Sequence, residues 1–270
     1  MTAEATVGPA LPTLYRSAIL PTEGEIVAIS RKVYFIADAH LGANAALEKS
    51  TVPVLLALLD EVKREKAALY VLGDLFDFWF EFRHSVPNIH PAVIAKLCEL
   101  AAAGCPMGFA GGNHDFWMLD YLKRELGATV SEGWIECELQ GRRVCMAHGD
   151  GFRSGDTGYK ILKRILRSKV NIALYRLLPA EIGVPFALSC SRASRKTSVS
   201  EMTRIADKLF REVALKKFEE GFDLVILGHV HMPYERKHEE KRFVIVGDWI
   251  ENLSYLVMEE GTISRRAWKR

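Results

Sequence analysis

Apolar positions along the chain follow two rhythms. Short unbroken runs at Val33–Ala37, Ala68–Leu72, Met107–Ala110 and Asp223–Leu227 read as buried strands. Between them, apolar residues recur at helical spacing. Thr51–Lys66 carries Val54, Leu55, Leu58, Leu59 and Val62 on one face, Pro91–Ala103 opens on a proline and stops before Gly104, and Phe116–Leu126 closes at Gly127. Trp134–Leu139 and Arg142–Ala147 flank Gln140-Gly141, a hairpin turn. Phe243–Val246 and Tyr255–Met258 add two strands near the end. Strand–helix alternation followed by a β-richer half predicts a layered α/β fold with mixed sheets.

One stretch breaks both rhythms. Tyr159–Leu178 interleaves Ile161, Leu162, Ile165, Leu166, Val170, Leu174, Leu177 and Leu178 with Lys163, Arg164, Arg167, Lys169 and Arg176. Ser200–Phe218 is a second amphipathic helix, and the small, basic Ser189–Ser198 lies between them. Residues 151–220 hold 15 Lys and Arg against 7 Asp and Glu, a net of +8 inside a chain whose total is +2. The expected division is therefore a leader over 1–30, a core over 31–150 and 221–270, and a basic helical insert over 151–220. The insert starts directly after His148-Gly149-Asp150, so it is expected beside whatever those residues build.

Composition narrows the class. The chain is 49% hydrophobic and 26% charged, ordinary for a water-soluble globular protein. No apolar run approaches the roughly 20 residues that span a bilayer. Met1–Ser30, with Pro9, Pro12 and Pro21, has neither the basic start nor the apolar stretch of a secretory signal, so a poorly ordered leader and a cytoplasmic protein are expected. Cys98, Cys105, Cys137, Cys145 and Cys190 are widely spaced, odd in number and mostly in apolar surroundings, which predicts reduced, buried thiols rather than a disulfide framework or a cysteine metal site.

The chemistry sits where the strands run out. Asp38-Ala39-His40, Gly73-Asp74-Leu75-Phe76-Asp77, Gly112-Asn113-His114-Asp115, His148-Gly149-Asp150 and Gly228-His229-Val230-His231 each follow an apolar run, and they hold five of the eight histidines. Loops at the carboxyl ends of strands are where α/β sheets place ligands. Carboxylates, imidazoles and an amide oxygen without thiolate suit Mn²⁺, Fe²⁺ or Zn²⁺ and speak against a structural zinc site. An isolated Asp-x-His or His-x-His is common by chance; all five in order are not.

That ordered set resembles the calcineurin-like metallophosphoesterases, over Val33 to about Val246. The resemblance implies a four-layer αββα sandwich with two mixed sheets and a helical cap, and a two-metal site at one edge. It implies that Asp38, His40 and His231 hold one ion, that Asn113, His148 and His229 hold the other, and that Asp74 bridges them. Mn²⁺ is the first expectation, with Fe²⁺ or Zn²⁺ also accommodated. His114 is the catalytic candidate outside the ligand set, and Asp77 the residue that orients it.

Gly73–Trp79, Val246-Gly247-Asp248-Trp249 and the basic, leucine-rich insert resemble the UDP-2,3-diacylglucosamine hydrolases of lipid A synthesis. This implies cleavage of that nucleotide-activated glycolipid to UMP and 2,3-diacylglucosamine 1-phosphate, peripherally at the inner face of the cytoplasmic membrane. Leu166 and Leu174, with Ile161, Leu162, Ile165 and Leu178, are candidates for an acyl groove; Arg192, Arg195 and Lys196 are candidates for phosphate or nucleotide contacts. The bland alternative is that the apolar stripe seals the insert onto the core while its charges are solvated. His114 stands where many of these hydrolases carry Arg. A soluble enzyme acting on a nucleotide or other small diphosphate is the alternative. A nuclease fits less well, because Tyr159, Tyr175, Phe186 and Phe210 are too far apart to stack successive bases, so no nucleic acid is expected. Nothing offers a phosphopeptide groove, and a scaffold without chemistry would have lost ligands. Trp79, Trp117 and Trp249 read as packing, with a place in the cleft wall as the alternative.

Overall fold

The computed structural model describes residues 31–82, 85–86, 90–117, 120–192 and 198–269, the side chains of 190–192 excepted. The leader therefore lies outside the described residues, as do Arg195, Lys196 and the side chain of Arg192.

The chain runs β1 (Lys32–Ile36), α1 (Ala45–Glu65), β2 (Ala68–Leu72), α2 (Pro91–Ala102), β3 (Met107–Ala110), α3 (Tyr121–Leu126), β4 (Thr129–Ser131), β5 (Ile135–Leu139) and β6 (Arg142–Ala147). It continues through α4 (Thr157–Leu166), α5 (Lys169–Tyr175), α6 (Ala180–Arg192), α7 (Val199–Leu209), a wide π-helical turn at Phe210–Ala214 and α8 (Leu215–Glu219). β7 (Leu224–Leu227), β8 (Tyr234–His238), β9 (Lys241–Ile245), β10 (Ser254–Glu259) and β11 (Thr262–Ala267) complete it.

Two mixed sheets result. One has the order β11-β10-β1-β2-β3-β4, the other β5-β6-β7-β9-β8. The central strands of both are parallel and the antiparallel partners lie outside them. Strand alternation then splits the core into layers. In β1, Tyr34 and Ile36 face α1, α2 and α3 with Leu58, Val62, Leu97 and Leu122. Val33 and Phe35 face the other way, onto Val144, Met146, Leu224 and Ile226 of the second sheet. Each fully buried Leu, Ile or Phe contributes about 1.5–3 kcal/mol of burial energy. Burial on both faces is why these strands read as continuous apolar runs.

Three expectations need correcting. The helix expected at Phe116 begins only at Tyr121, because Phe116 and Trp117 pack with Phe78 and Phe80. The expected insert is too long. Ala206, Leu209, Phe210, Ala214 and Phe218 are buried against Val225, Leu227, Phe243 and Ile245, so α7 to α8 form the outer helical layer of the sandwich. Only α4 to α6 stand apart from it. They dock through Ile172, Tyr175, Val184, Ala187 and Leu188 on the cluster around Phe80 and Trp117, with Tyr175 stacked on Trp117 at 5.4 Å. Finally, Cys98 is exposed, whereas Cys105 and Cys145 are buried and Cys137 half-buried.

Candidate metal centre

All five motifs leave strands at the same edge of the sandwich, and backbone hydrogen bonds carry the pairing beyond the strands. His40 N donates to the Asp74 carbonyl (2.9 Å), Leu41 N to that of Leu75 (3.0 Å) and Asp38 N to that of Gly73 (3.1 Å). The loops after β1 and β2 thus stay in register as they turn out of the sheet. The turn has a conformational cost. Asp38, His40, Asp74, His229 and His231 have φ of 55, 45, 53, 69 and 57°. Left-handed backbone at a non-glycine residue costs on the order of 1 kcal/mol or more, and such residues concentrate at functional sites.

What the strain accomplishes is convergence. His40 Nε2 lies 3.1 Å from His231 Nε2 and 3.5 Å from Asp74 Oδ2. Asp38 Oδ1 is 3.3 Å from His231 Nε2 and is buried without a hydrogen-bond partner. His148 Nε2 is 3.4 Å from Asp74 Oδ2 and 3.0 Å from Asn113 Oδ1. The His229 ring lies edge-on to that of His148 at 5.0 Å, and its backbone N–H donates to Asp38 Oδ2 (2.8 Å). Among the described residues, three groups have donor atoms mutually within 4.8 Å: Asp38, His40 and His231; Asp38, Asp74 and His148; and His40, Asp74 and His114. The sequence expectation set His114 outside the ligands, yet it shares the third group.

The donor set fits divalent cations. A buried carboxylate oxygen with no partner is expensive unless a cation faces it. The imidazoles are oriented as ligating histidines are, with one nitrogen held from behind. His148 Nδ1 donates to the Leu72 carbonyl (2.8 Å), and His40 Nδ1 meets Asp77 Oδ1 (3.2 Å). Their Nε2 atoms are left facing the cleft. Asp77 therefore does more than orient His114: its carboxylate backs His40, and its backbone carbonyl holds His114 Nδ1 at 3.2 Å.

Electrostatics match the convergence. Burial alone would raise the Asp74 carboxyl, but His148, His114 and His40 offset it and hold it well below the usual carboxylate range. Burial also opposes a charge on His148, yet Asp74 and Asp38 carry its imidazole up to about 10. His229, buried beside that cation, falls to about 4. A cation bound by His148 would have to displace that proton, so loading would release protons.

Two supporting residues stood in the motifs without an assigned role. Asp115 accepts from Gly112 N (2.9 Å), Asp74 N (3.0 Å), Leu75 N (2.7 Å) and Phe76 N (3.3 Å), tying the Asp74 loop to the Asn113 loop. Asp248 Oδ1 accepts from the backbone of Ile250, Glu251 and Asn252, and Asn252 Nδ2 donates to the His231 carbonyl (3.0 Å). For Asp248 the available signal was its place directly after Gly247, as Asp74 follows Gly73 and Asp150 follows Gly149; for Asp115 it was only its place at the end of the Gly112–Asp115 motif.

The cleft over these groups has a volume of about 560 Å³ and runs between the start of α1 and α7, past Leu47, Met202, Ile205 and Ile250. Leu166 and Leu174 do not line it; both are exposed on the outside of α4 and α5. Trp79 and Trp249 are fully buried and Trp117 belongs to the aromatic cluster, as expected of packing residues.

Cation binding at this site should be visible as stability. A ligand at about 100 times its dissociation constant adds about 2.7 kcal/mol, which in a chain of this size class is about 5–10 °C in melting temperature. Melting curves of chelator-treated protein with and without Mn²⁺ are expected to differ by that much; superimposable curves would contradict the site.

Comparison with known proteins agrees with this geometry. The model of the calcineurin-like phosphoesterase family matches residues 31–233. A UDP-2,3-diacylglucosamine hydrolase from Porphyromonas gingivalis is 34% identical over 250 residues, spanning 86% of this chain and 95% of that one. Proteins of the same name from Pseudomonas paraeruginosa and Neisseria meningitidis serogroup B are 30% and 29% identical, over 80% and 86% of this chain and 90% and 95% of theirs. With an αββα sandwich and the carboxylates and imidazoles gathered at one edge of it, the chain belongs to the calcineurin-like phosphoesterase family and is a metal-dependent phosphoester hydrolase.

Proposed function

We propose that this protein hydrolyses the diphosphate of UDP-2,3-diacylglucosamine on a pair of divalent cations, Mn²⁺ first among them, yielding UMP and 2,3-diacylglucosamine 1-phosphate. One water is consumed and one phosphorus–oxygen bond of the diphosphate bridge is broken. The names of the relatives, at up to 34% identity along most of the chain, support the substrate. The observation that carries the reading is the surface beside the cleft. Ten of the twelve exposed large apolar side chains among the described residues lie between Ile161 and Phe186. Lys160, Arg164, Lys169 and Arg176 are interleaved with them. An apolar face edged by cations suits acyl chains at an anionic bilayer surface. No helix among the described residues is long and apolar enough to cross a membrane, so the contact we infer is peripheral, at the cytoplasmic face.

In this reading Asp38, His40 and His231 would hold one ion and Asn113, His148 and His229 the other, with Asp74 available to both. Bound ions would lower the pKa of a water toward neutrality and neutralise phosphoryl charge. The residues do the remainder. With His114 Nδ1 committed to the Asp77 carbonyl, Nε2 is the atom turned to the substrate. A sugar 1-phosphate leaves with little need of a proton, so His114 acts as a hydrogen-bonding stabiliser of the transition state. Arg in that position would serve the same end.

The test is phosphorus NMR of metal-stripped protein, with and without Mn²⁺, on UDP-2,3-diacylglucosamine and on UDP-glucose. Metal-dependent UMP release from the lipid alone is expected. Equal turnover of both would favour the small-diphosphate enzyme. A second prediction concerns the apolar face. Each exposed leucine that inserts contributes on the order of 1 kcal/mol, so Leu166→Asp with Leu174→Asp should weaken flotation with anionic vesicles at least about tenfold. The melting curve should barely move, because both side chains are exposed. Undiminished flotation would remove the membrane from the proposal.

A further inference from the structure

Tyr159, Lys163 and Arg167 recur every four residues, so the first two share one face of α4 and Arg167, its C-terminal capping residue, continues that face, which is turned away from the exposed apolar one. All three converge on Asp150, two residues beyond His148. Tyr159 Oη donates to Asp150 Oδ2 (2.7 Å), Lys163 Nζ lies 2.7 Å from the same oxygen and donates to the Asp150 carbonyl (2.9 Å), and Arg167 Nη2 is 3.9 Å away. Arg167 then reaches further. Its Nη2 donates to the carbonyl of Gly112 (3.0 Å), the residue before Asn113, and its Nη1 to the carbonyl of Glu132 (3.1 Å). The guanidinium lies over the Phe116 ring at 4.7 Å, and its Nε is buried without a hydrogen-bond partner.

The two loops so joined carry Asn113 and His148, whose Oδ1 and Nε2 are 3.0 Å apart. Nothing comparable from α4 touches the loops of Asp38, His40 or His231. A largely buried guanidinium with an unsatisfied nitrogen is costly unless its remaining bonds serve a purpose. Here Nη2 lies between the two ligand-bearing loops, on the Gly112 carbonyl and 3.9 Å from Asp150 Oδ2. Nη1 anchors the planar fork on the Glu132 carbonyl outside them, an arrangement an ammonium cannot reproduce.

We propose that Arg167, backed by Lys163 and Tyr159, is a positioning residue for one metal subsite only. It straps the Asn113 loop to the His148 loop and so sets the affinity of the Asn113–His148–His229 ion, tying the seating of the insert to the loading of that ion. The inference rests on the two-ion reading above and extends it to a residue that touches neither ion nor substrate.

The experiment is calorimetric titration of the metal-free full-length chain with Mn²⁺, with electron paramagnetic resonance of the loaded protein to detect exchange-coupled pairs. Wild type is expected to bind two ions. Arg167→Met should bind the first as wild type does and the second about 10–100-fold more weakly, with the coupled signal replaced by that of isolated Mn²⁺. Arg167→Lys keeps the charge but loses one of the two carbonyls; it should show the same selective loss, and it guards against a misfolded methionine variant. Two ions at unchanged affinity in both variants would overturn the inference alone. Equal weakening of both ions would mark a merely structural role and overturn it as well. A single ion in wild type would instead overturn the two-ion reading, and the inference with it.

Discussion

Asp74→Asn is expected to abolish turnover, by on the order of 10³-fold or more, while leaving the fold intact. The side chain has two separate tasks. Oδ1 accepts the His114 backbone N–H at 2.9 Å, and Oδ2 faces the Nε2 atoms of His148, His40 and His114 at 3.4, 3.5 and 3.9 Å. Asparagine preserves shape and keeps an oxygen for the His114 amide. Its nitrogen must then occupy the place of Oδ2 and present two hydrogens to the heart of the site. A negatively charged acceptor becomes a neutral donor, so the attraction for cations is lost, and with it the position that the proposed two-ion reading puts between the ions. Steady-state kinetics with saturating Mn²⁺, paired with metal analysis, measures this. Turnover within about tenfold of wild type would exclude Asp74 from the centre. Because the charge is removed from a buried cluster with an excess of imidazoles, the chelated variant should also lose the elevation of the His148 pKa, which Asp74 supports first among the carboxylates.

How far the sequence reaches is decided by burial. β1, β2, β3 and β7 are buried almost throughout, so their apolar runs mark them within a residue or so. β4, β8 and β11 carry no such mark. Each lies at the edge of a sheet and is largely exposed, and an edge strand with one solvated face shows little hydrophobic pattern. Likewise α1 starts at Ala45, six residues before its apolar stripe suggests, because the Asn44 side chain caps it by accepting from Ala46 N and Leu47 N. The division of the insert failed for a related reason. An amphipathic helix must bury its stripe somewhere, but the stripe does not say where; α7 buries it on the second sheet, whereas α4 leaves Ile161, Leu162 and Ile165 in the open.

The site divides in the same way. Residues whose side chains converge directly announce themselves, because carboxylate, amide and imidazole directly after buried strands have few other uses. Residues that act on backbone atoms of distant segments do not. Asp115 bonds N–H groups 39 to 41 positions away and Arg167 a carbonyl 55 positions away, distances along the chain that no local pattern encodes. Only the spacing of Tyr159, Lys163 and Arg167 was legible, and in a helix rich in Lys and Arg it looked like solvated charge.

Gly112→Ala should be nearly as damaging as loss of Asp74, although it removes no functional group. A methyl on Gly112 would fall on the Asp74 carboxylate and 2.5 Å from the Asp74 backbone N. Neither neighbour can give way cheaply. The carboxylate is fixed by the His114 amide, and the backbone N–H by Asp115. Gly112 is itself pinned from both sides, its N–H on Asp115 and its carbonyl on Arg167. The strain must therefore displace Asp74 from the imidazoles or prise the two loops apart. Overpacking of this kind costs about 1–3 kcal/mol, and a displacement of about 1 Å at a reacting centre costs on the order of 10²-fold in rate. Gly133→Ala is the control, because a methyl there meets nothing within 4 Å; it should stay within about 0.5 kcal/mol of wild type. The two variants are to be compared by chemical denaturation and by kcat at saturating Mn²⁺. Full activity in Gly112→Ala would mean that Asp74 need not sit where the structure puts it. Activity restored to Gly112→Ala by raising the cation concentration would instead locate the damage in ion binding, with Asp74 close enough to act once the site is filled.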